Sequence, residues 1–251
     1  MGQEVAEKTV KQMEYARQPR QEASLVAIKL RKIVPWGRSF DEYRRMFSLS
    51  EGDLAGRILG CGDGPASFNA EATALGHVVT SCDPIYAYSV GEIEQRVTAS
   101  YDKIITRLRS NPNGFVWDHF HSPDHLGQCR LTAMRRFLAD FDRGKAQGRY
   151  VTASLPSLPF EDGQFDLALG SHLLFVYSER LDFNFHQAAV EELLRVAKEV
   201  RIFPLLPLER KASPHVEPIC KYIAGRDWKA EIAIVPYEFQ RGGNKMLRIS
   251  R

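Results

Sequence analysis

Gly60-Cys61-Gly62-Asp63-Gly64 is the segment whose residue types and spacing most plainly serve a ligand. Glycine has no Cβ, so glycines at alternate positions let the backbone turn sharply and come within contact distance of a bound molecule. Asp83 follows Gly64 by 19 residues. It ends the next apolar run, where a carboxylate is placed to accept hydrogen bonds from both hydroxyls of a ribose. The pair therefore specifies a nucleoside-bearing ligand. The GxGxG spacing, followed at once by Pro65, argues against the GxGxxG turn that receives the pyrophosphate of a nicotinamide dinucleotide.

These residues need strands beneath them, and the pattern from Arg57 onward supplies short apolar runs alternating with helical segments, as in a largely parallel sheet covered by helices. Five strands are expected, at Arg57–Leu59, His77–Cys82, Tyr150–Ala153, Phe165–Leu169 and Val200–Leu206. Glu231–Phe239 and Lys245–Ile249, joined by the turn Arg241-Gly242-Gly243-Asn244, read as an antiparallel hairpin. The stretch Pro84–Arg149 is too long for one crossover helix. It carries one amphipathic stripe at Ile93, Val97, Tyr101, Ile104 and Leu108, the turn Asn111-Pro112-Asn113-Gly114, and a second stripe at Met134, Phe137, Leu138 and Phe141. Ser122-Pro123-Asp124 reads as the second helix's cap and Gly144 as its stop. Upstream, Val26, Leu30 and Ile33 repeat at helical spacing, and Pro35 ends that run. The organisation expected is an N-terminal helical extension over 1–54 and an α/β domain over 55–251, with a helical lid at about 84–149.

At 251 residues and 44% hydrophobic content the chain is long enough to bury a full core. A formal charge of +3 falls far short of the basic surface of a nucleic-acid binder. No apolar run approaches the roughly 20 residues of a membrane span, and the polar N-terminus has no signal-peptide core. A cytoplasmic protein with no membrane partner is expected. Cys61, Cys82, Cys129 and Cys220 form no CxxC pair and show no His at zinc-ligand spacing, so reduced thiols and no metal are expected.

GCGDG, the acidic Asp83, LPFEDGQFDLAL (Leu158–Leu169) and ELLRVAKEVRIFPLL (Glu192–Leu206) resemble, in order, the motifs of class I S-adenosylmethionine-dependent methyltransferases, over roughly residues 55 to 250. PWGRSFDEYRRMF, ILGCGDGPASFNAE and YEFQRGGN look like an uncharacterised bacterial subfamily. The resemblance implies an α/β, Rossmann-like seven-stranded sheet with a C-terminal antiparallel hairpin, the N-terminal extension and an insertion after the second strand. It implies S-adenosylmethionine as cofactor, with Gly60, Cys61, Gly62, Asp63, Gly64, Asp83, Pro84, Ser154, Leu155 and Ser171 around it. Two positions depart from the family pattern: Ile58 and Ser154 stand where acidic residues are usual. A serine still accepts one hydrogen bond, and backbone carbonyls or Asp63 are left to meet the methionyl ammonium. Arg38 is a candidate for the methionyl carboxylate, because a guanidinium fork matches a carboxylate.

The end of the fourth strand lies beside the sulfonium in such a sheet, which makes His172 a candidate general base and Tyr177 a second candidate catalytic group. Packing near the cofactor is the plainer role for either. Trp117, His119 and His121, between the two stripes of the insertion, are candidates to line the acceptor pocket. Methyl transfer asks mainly for in-line placement of the nucleophile, so no conspicuous acid–base pair is required. The chain has no Asn-Pro-Pro-Tyr string after its fourth strand and no Pro-Cys nucleophile. A small-molecule O, N or C nucleophile is therefore expected as acceptor, not nucleic acid. Two other classes stay open: a non-catalytic S-adenosylmethionine sensor and a nicotinamide-dependent oxidoreductase.

Overall fold

In a computed structural model of the chain, residues 36–207, 212–226 and 228–250 are described, and the helices expected over residues 3–33 lie outside them. The strands are β1 (Arg57–Cys61), β2 (Val78–Cys82), β3 (Tyr150–Val151), β4 (Phe165–Ser171), β5 (Ala197–Phe203), β6 (Lys229–Ile234) and β7 (Lys245–Ser250). They form one sheet in the order β3-β2-β1-β4-β5-β7-β6. The first five run parallel, and β7 pairs antiparallel with both β5 and β6. This is the α/β sheet with a C-terminal antiparallel pair that the sequence implied. β1 and β4 are almost continuously apolar and buried, as strands covered by helices on both faces must be. Strand order reverses between β1 and β4, so the carboxyl ends of those strands open onto the crevice where sheets of this type bind ligands.

Seven α-helices occur among the described residues: α1 (Phe40–Met46), α2 (Glu51–Leu54), α3 (Phe68–Ala74), α4 (Val90–Ser110), α5 (Pro123–Ala146), α6 (Phe183–Val196) and α7 (Val216–Ala224). Reciprocal capping boxes at Ser39/Glu42, Ser50/Asp53 and Ser89/Glu92 satisfy the first amides of α1, α2 and α4. α1 and α2 belong to the same compact unit as the sheet. Arg201 on β5 makes this attachment: it is buried, pairs with Asp53 at 2.8 Å and donates to the Phe47 carbonyl at 2.9 Å.

The insertion contains the two expected long helices. Ile93, Val97 and Leu108 are buried as their stripe predicts, joined by Ile105, while Tyr101 and Ile104 are half-buried. Ser122 caps α5 through the His125 amide. Gly144 does not stop α5, which runs on to Ala146. A Cβ at Gly144 would stand 2.4 Å from the Tyr150 ring, so close packing against β3 accounts for that glycine. Strand ends also differ from expectation. β3 stops at Val151, and a turn with a Ser154–Ser157 bridge follows. β4 runs on to Ser171, and β5 begins at Ala197, directly after α6. The hairpin is wider than the glycine-rich turn suggested. β6 ends at Ile234 just before Pro236, which has no amide to donate. The loop beyond it pairs with the insertion: Val116 donates to the Phe239 carbonyl at 2.8 Å and Arg241 to the Gly114 carbonyl at 3.1 Å.

A candidate active site at the carboxyl end of the sheet

Gly62 and Gly64 both hold positive φ, 73° and 56°, which turns the chain off β1, and the Gly62 amide donates back to the Cys82 carbonyl at 2.9 Å. A Cβ on Gly60 would lie 1.9 Å from Asp63 Oδ2, so glycine there lets the Asp63 side chain fold back against the strand. Asp63 is buried and accepts from Tyr43 Oη at 2.7 Å and from Ser81 Oγ at 2.6 Å. Burial, with Asp83 nearby, lifts its pKa to about 6. Its carboxylate therefore serves an internal network. Cys61 and Cys82 are register partners, and the neighbouring Cys61 thiol together with burial pushes the Cys82 thiol well up.

Asp83 caps the short turn Pro84–Ala87, which opens with Pro84. Its Oδ1 accepts from the Ile85 amide at 2.8 Å and its Oδ2 from the Gly64 amide at 2.9 Å. The carboxylate is thus fixed against the glycine turn, and each oxygen keeps a second lone pair for a ligand hydroxyl. Burial raises its pKa to about 6 as well.

Arg38 is joined to the same turn, because its carbonyl accepts from the Ser67 amide at 3.0 Å. Its Nη1 donates to the Trp36 carbonyl at 3.0 Å, while its Nε is buried without a hydrogen-bond partner. Burial and the neighbouring Arg130 charge lower its pKa. Arg130 is itself buried in a close ion pair with Glu42, and Tyr237 Oη donates to Glu42 at 2.8 Å. The Glu42 charge also acts on Arg38, but only Arg130 forms an ion pair with it among the described residues.

His172 follows β4 with φ of 50°, a conformation that costs a non-glycine residue about 1–3 kcal/mol and persists only where surroundings impose it. Its amide donates to the Phe203 carbonyl at 2.7 Å, and its Nδ1 lies 3.1 Å from Ser171 Oγ. Burial and the charges of Arg38 and Arg130 hold its pKa well below the usual histidine value, so the ring is neutral. Arg38, Asp83 and His172 each keep part of their surface, yet burial dominates the protonation of all three. Asp83 and His172 directly follow the carboxyl ends of β2 and β4.

The remaining candidates are placed more diffusely. Tyr177 lies in the turn after β4 with the Arg180 guanidinium 5.7 Å from its ring centre. Leu155 is buried beside Ser154, whose carbonyl accepts from the Ser157 amide at 3.2 Å. Trp117, His119 and His121 diverge. Trp117 packs edge-on to Phe239 and donates to the Pro112 carbonyl, His119 meets Arg45 at 3.0 Å, and His121 stacks on His125. One cysteine expectation is corrected: His125 Nε2 does lie 3.6 Å from Cys129 Sγ, because residues four apart share a helix face. Among the described residues no group of three or more His, Cys, Asp or Glu is placed to hold a metal ion. No helix among them is long and apolar enough to cross a membrane.

Sequence reasoning missed Tyr43, Glu42, Arg130, Tyr237 and Ser81. Arg130 had a legible signal, since it lies four and seven residues before Met134 and Phe137 on an otherwise apolar stripe.

No protein-family model matches the chain. Over 225 residues it is 36% identical to the uncharacterised protein MJ0045 of Methanocaldococcus jannaschii, spanning 89% of this chain and 99% of that protein. The chain belongs to that protein's family. This relative is archaeal, whereas the quoted strings resembled a bacterial group. Among solved structures, the chain is similar to magnesium protoporphyrin IX methyltransferase of Synechocystis, at 13% identity and a TM-score of 0.42 over 84% of this chain and 90% of that one. It is also similar to a SAM-dependent methyltransferase of Aquifex aeolicus, at 13% identity and a TM-score of 0.40 over 83% and 90%. For the MJ0045 family these are likenesses of general form.

Proposed function

We propose that the protein is an S-adenosylmethionine-dependent methyltransferase acting on a small-molecule O, N or C nucleophile held in the recess at the carboxyl ends of β1 and β4. One observation carries the reading: Asp83 is bound through its own carboxylate to the Gly64 amide, which presents a ribose acceptor and a Cβ-free turn as one rigid piece. The sequence resemblance supports it.

The residues present fit the cofactor. Asp83 keeps lone pairs for the ribose hydroxyls, and the turn from Gly60 to Gly64 gives the backbone close access. The orphaned Nε of Arg38 marks a guanidinium with unused donors, suited to the methionyl carboxylate. S-adenosylmethionine, when bound, supplies an activated methyl group on sulfur. The chain's own task is then to hold an acceptor atom in line and to keep water away. His172 offers a neutral imidazole at the recess wall, and α4 and α5, with the segment between them, form the roof that gives acceptor specificity.

Isothermal titration with S-adenosylhomocysteine and with NADH tests the binding class, and tritiated methyl transfer into a metabolite extract tests turnover. Binding of S-adenosylhomocysteine with product formation is expected. Binding without any labelled product would favour a sensor, and NADH binding in its place would favour an oxidoreductase.

A further inference from the structure

β6 is the outer strand of the sheet, and it pairs with β7 in an unbroken antiparallel register from Lys229 to Ile234. That register settles which of its backbone groups point outward. Just beyond the strand the Val235 amide donates to the Asn244 carbonyl at 3.0 Å, and in an antiparallel ladder hydrogen-bonded and non-hydrogen-bonded pairs alternate. Lys229, Glu231 and Ala233 therefore bond to β7. Ala230, Ile232 and Ile234 turn their N–H and C=O groups away from it, and none of these groups has a backbone partner among the described residues.

The side chains alternate too. Ala230, Ile232 and Ile234 share one face of β6, with Ile232 and Ile234 exposing 48% and 75% of their surface. The charged residues, Lys229 and Glu231, lie on the other face. Sheet edges in proteins are kept short, bulged or charged so that they recruit no further strand. The opposite edge obeys this rule, because β3 is only two residues long. β6 does not: it is regular, contains no proline and has isoleucine at two of its three outward-pointing positions.

We propose that β6 pairs with β6 of a second copy of this chain, antiparallel about a two-fold axis at Ile232, so that the two sheets continue into one. The strand is complementary to itself in that register. Ile232 meets Ile232, Ile234 meets Ala230, and each of these pairs can exchange both of its backbone hydrogen bonds. The isoleucines form one apolar row across the joint, while Glu231 faces Ala233 and Lys229 faces Val235. No like charges oppose. An axis at Glu231 would set two carboxylates directly opposite each other, which destabilises a sheet. An axis at Ala233 would set Ala230 against Pro236, which has no amide to donate. Residues 3–33 read in sequence as helical, a pattern that supplies no strand for this edge.

A six-residue strand is roughly 20 Å long, so the joint is small and the dimer should form and dissociate with concentration. β4, β5 and β7 separate β6 from β1, so the joint lies away from the glycine turn of either copy.

Sedimentation velocity over a range of concentrations, with amide hydrogen exchange on the same samples, tests the pairing. A monomer–dimer equilibrium is expected. The Ala230, Ile232 and Ile234 amides should exchange fast in dilute protein and slowly as dimer forms, while those of Glu231 and Ala233 stay protected throughout. Ile232→Lys sets two ammonium groups against each other at the axis and removes the apolar contact, so it should weaken the dimer roughly tenfold or more. Its circular dichroism spectrum and its affinity for S-adenosylhomocysteine should not change, because the side chain is exposed in a single copy and distant from the turn. If that variant fails to fold, oxidative cross-linking decides. Ile232→Cys should form a disulfide between copies above the wild-type background, whereas Ile234→Cys, opposite residue 230 of the other copy, should not. A protein that stays monomeric at every concentration, a dimer untouched by Ile232→Lys, or equal cross-linking of the two cysteines overturns the proposal. So does protection of the three outward amides in the monomer, which would mean that another segment of the same chain covers the edge.

Discussion

Arg130 on α5 and Glu42 on α1 form an ion pair in which the side chains expose only 1% and 3% of their surface. Glu42 is also the third residue of the α1 capping box and accepts from Tyr237. One carboxylate thus joins a helix start, α5 and the loop after β6. Glu42→Gln would leave Arg130 uncompensated beside Arg38, and removing one partner of a buried pair costs about 3–5 kcal/mol. Urea unfolding should show a loss of that size. Replacing both members, as Glu42→Leu with Arg130→Met, should cost distinctly less, because no lone charge then remains buried.

Asp83→Ala removes the acceptor for the ligand's ribose hydroxyls together with the bond that holds the glycine turn. A hydrogen bond to a charged group is worth about 1.5–3 kcal/mol, so affinity for S-adenosylhomocysteine should fall roughly 10- to 150-fold. Calorimetry in which mutant and wild type bind alike would remove Asp83 from the site.

Much of this was legible beforehand. The glycine turn, Asp83, the parallel strands and the two insertion helices are local patterns, written within a few neighbouring residues. The Tyr43–Asp63 contact was not, because it joins residues 20 apart through a helix whose docking no periodicity specifies. Asp63 itself read as a ligand group, since its position in the turn was visible while its side-chain direction, set by the missing Cβ of Gly60, was not. Trp117, His119 and His121 looked like one aromatic cluster because they are adjacent in sequence. In an irregular segment adjacent side chains diverge, and each found a different partner.

The pKa of Asp63 makes a pH prediction whose sign is fixed. Its folded value, about 6, lies above the ordinary 3.8, so the folded state holds the proton more tightly than the unfolded chain does. The resulting stabilisation is complete below pH 3.8 and is lost as pH rises through about 6, a change of about 3 kcal/mol at 1.36 kcal/mol per pKa unit. Asp63→Asn lacks this dependence. The stability of the variant relative to wild type should therefore improve by about that amount between pH 4 and pH 7. Denaturant titrations across this range that show a constant difference would contradict the assignment.

The proposed roof should respond to ligand. Limited proteolysis is expected to cut between Asn111 and Asp124, where the chain runs between α4 and α5, and to slow when S-adenosylhomocysteine is present. If this stretch is the most resistant part of the ligand-free protein, a closing roof is the wrong description.

The backbone bonds between residues 114–116 and 239–241 have a consequence for synthesis on the ribosome. Domains fold as their residues emerge, and contacts distant in sequence form late. The turn from Gly60 to Gly64 and its Asp83 clasp can form early. The segment between α4 and α5 waits for residues 239–241, far downstream, to supply its hydrogen-bonding partners. A nascent chain therefore passes through a stage with a formed glycine turn while the segment between α4 and α5 is still unfastened.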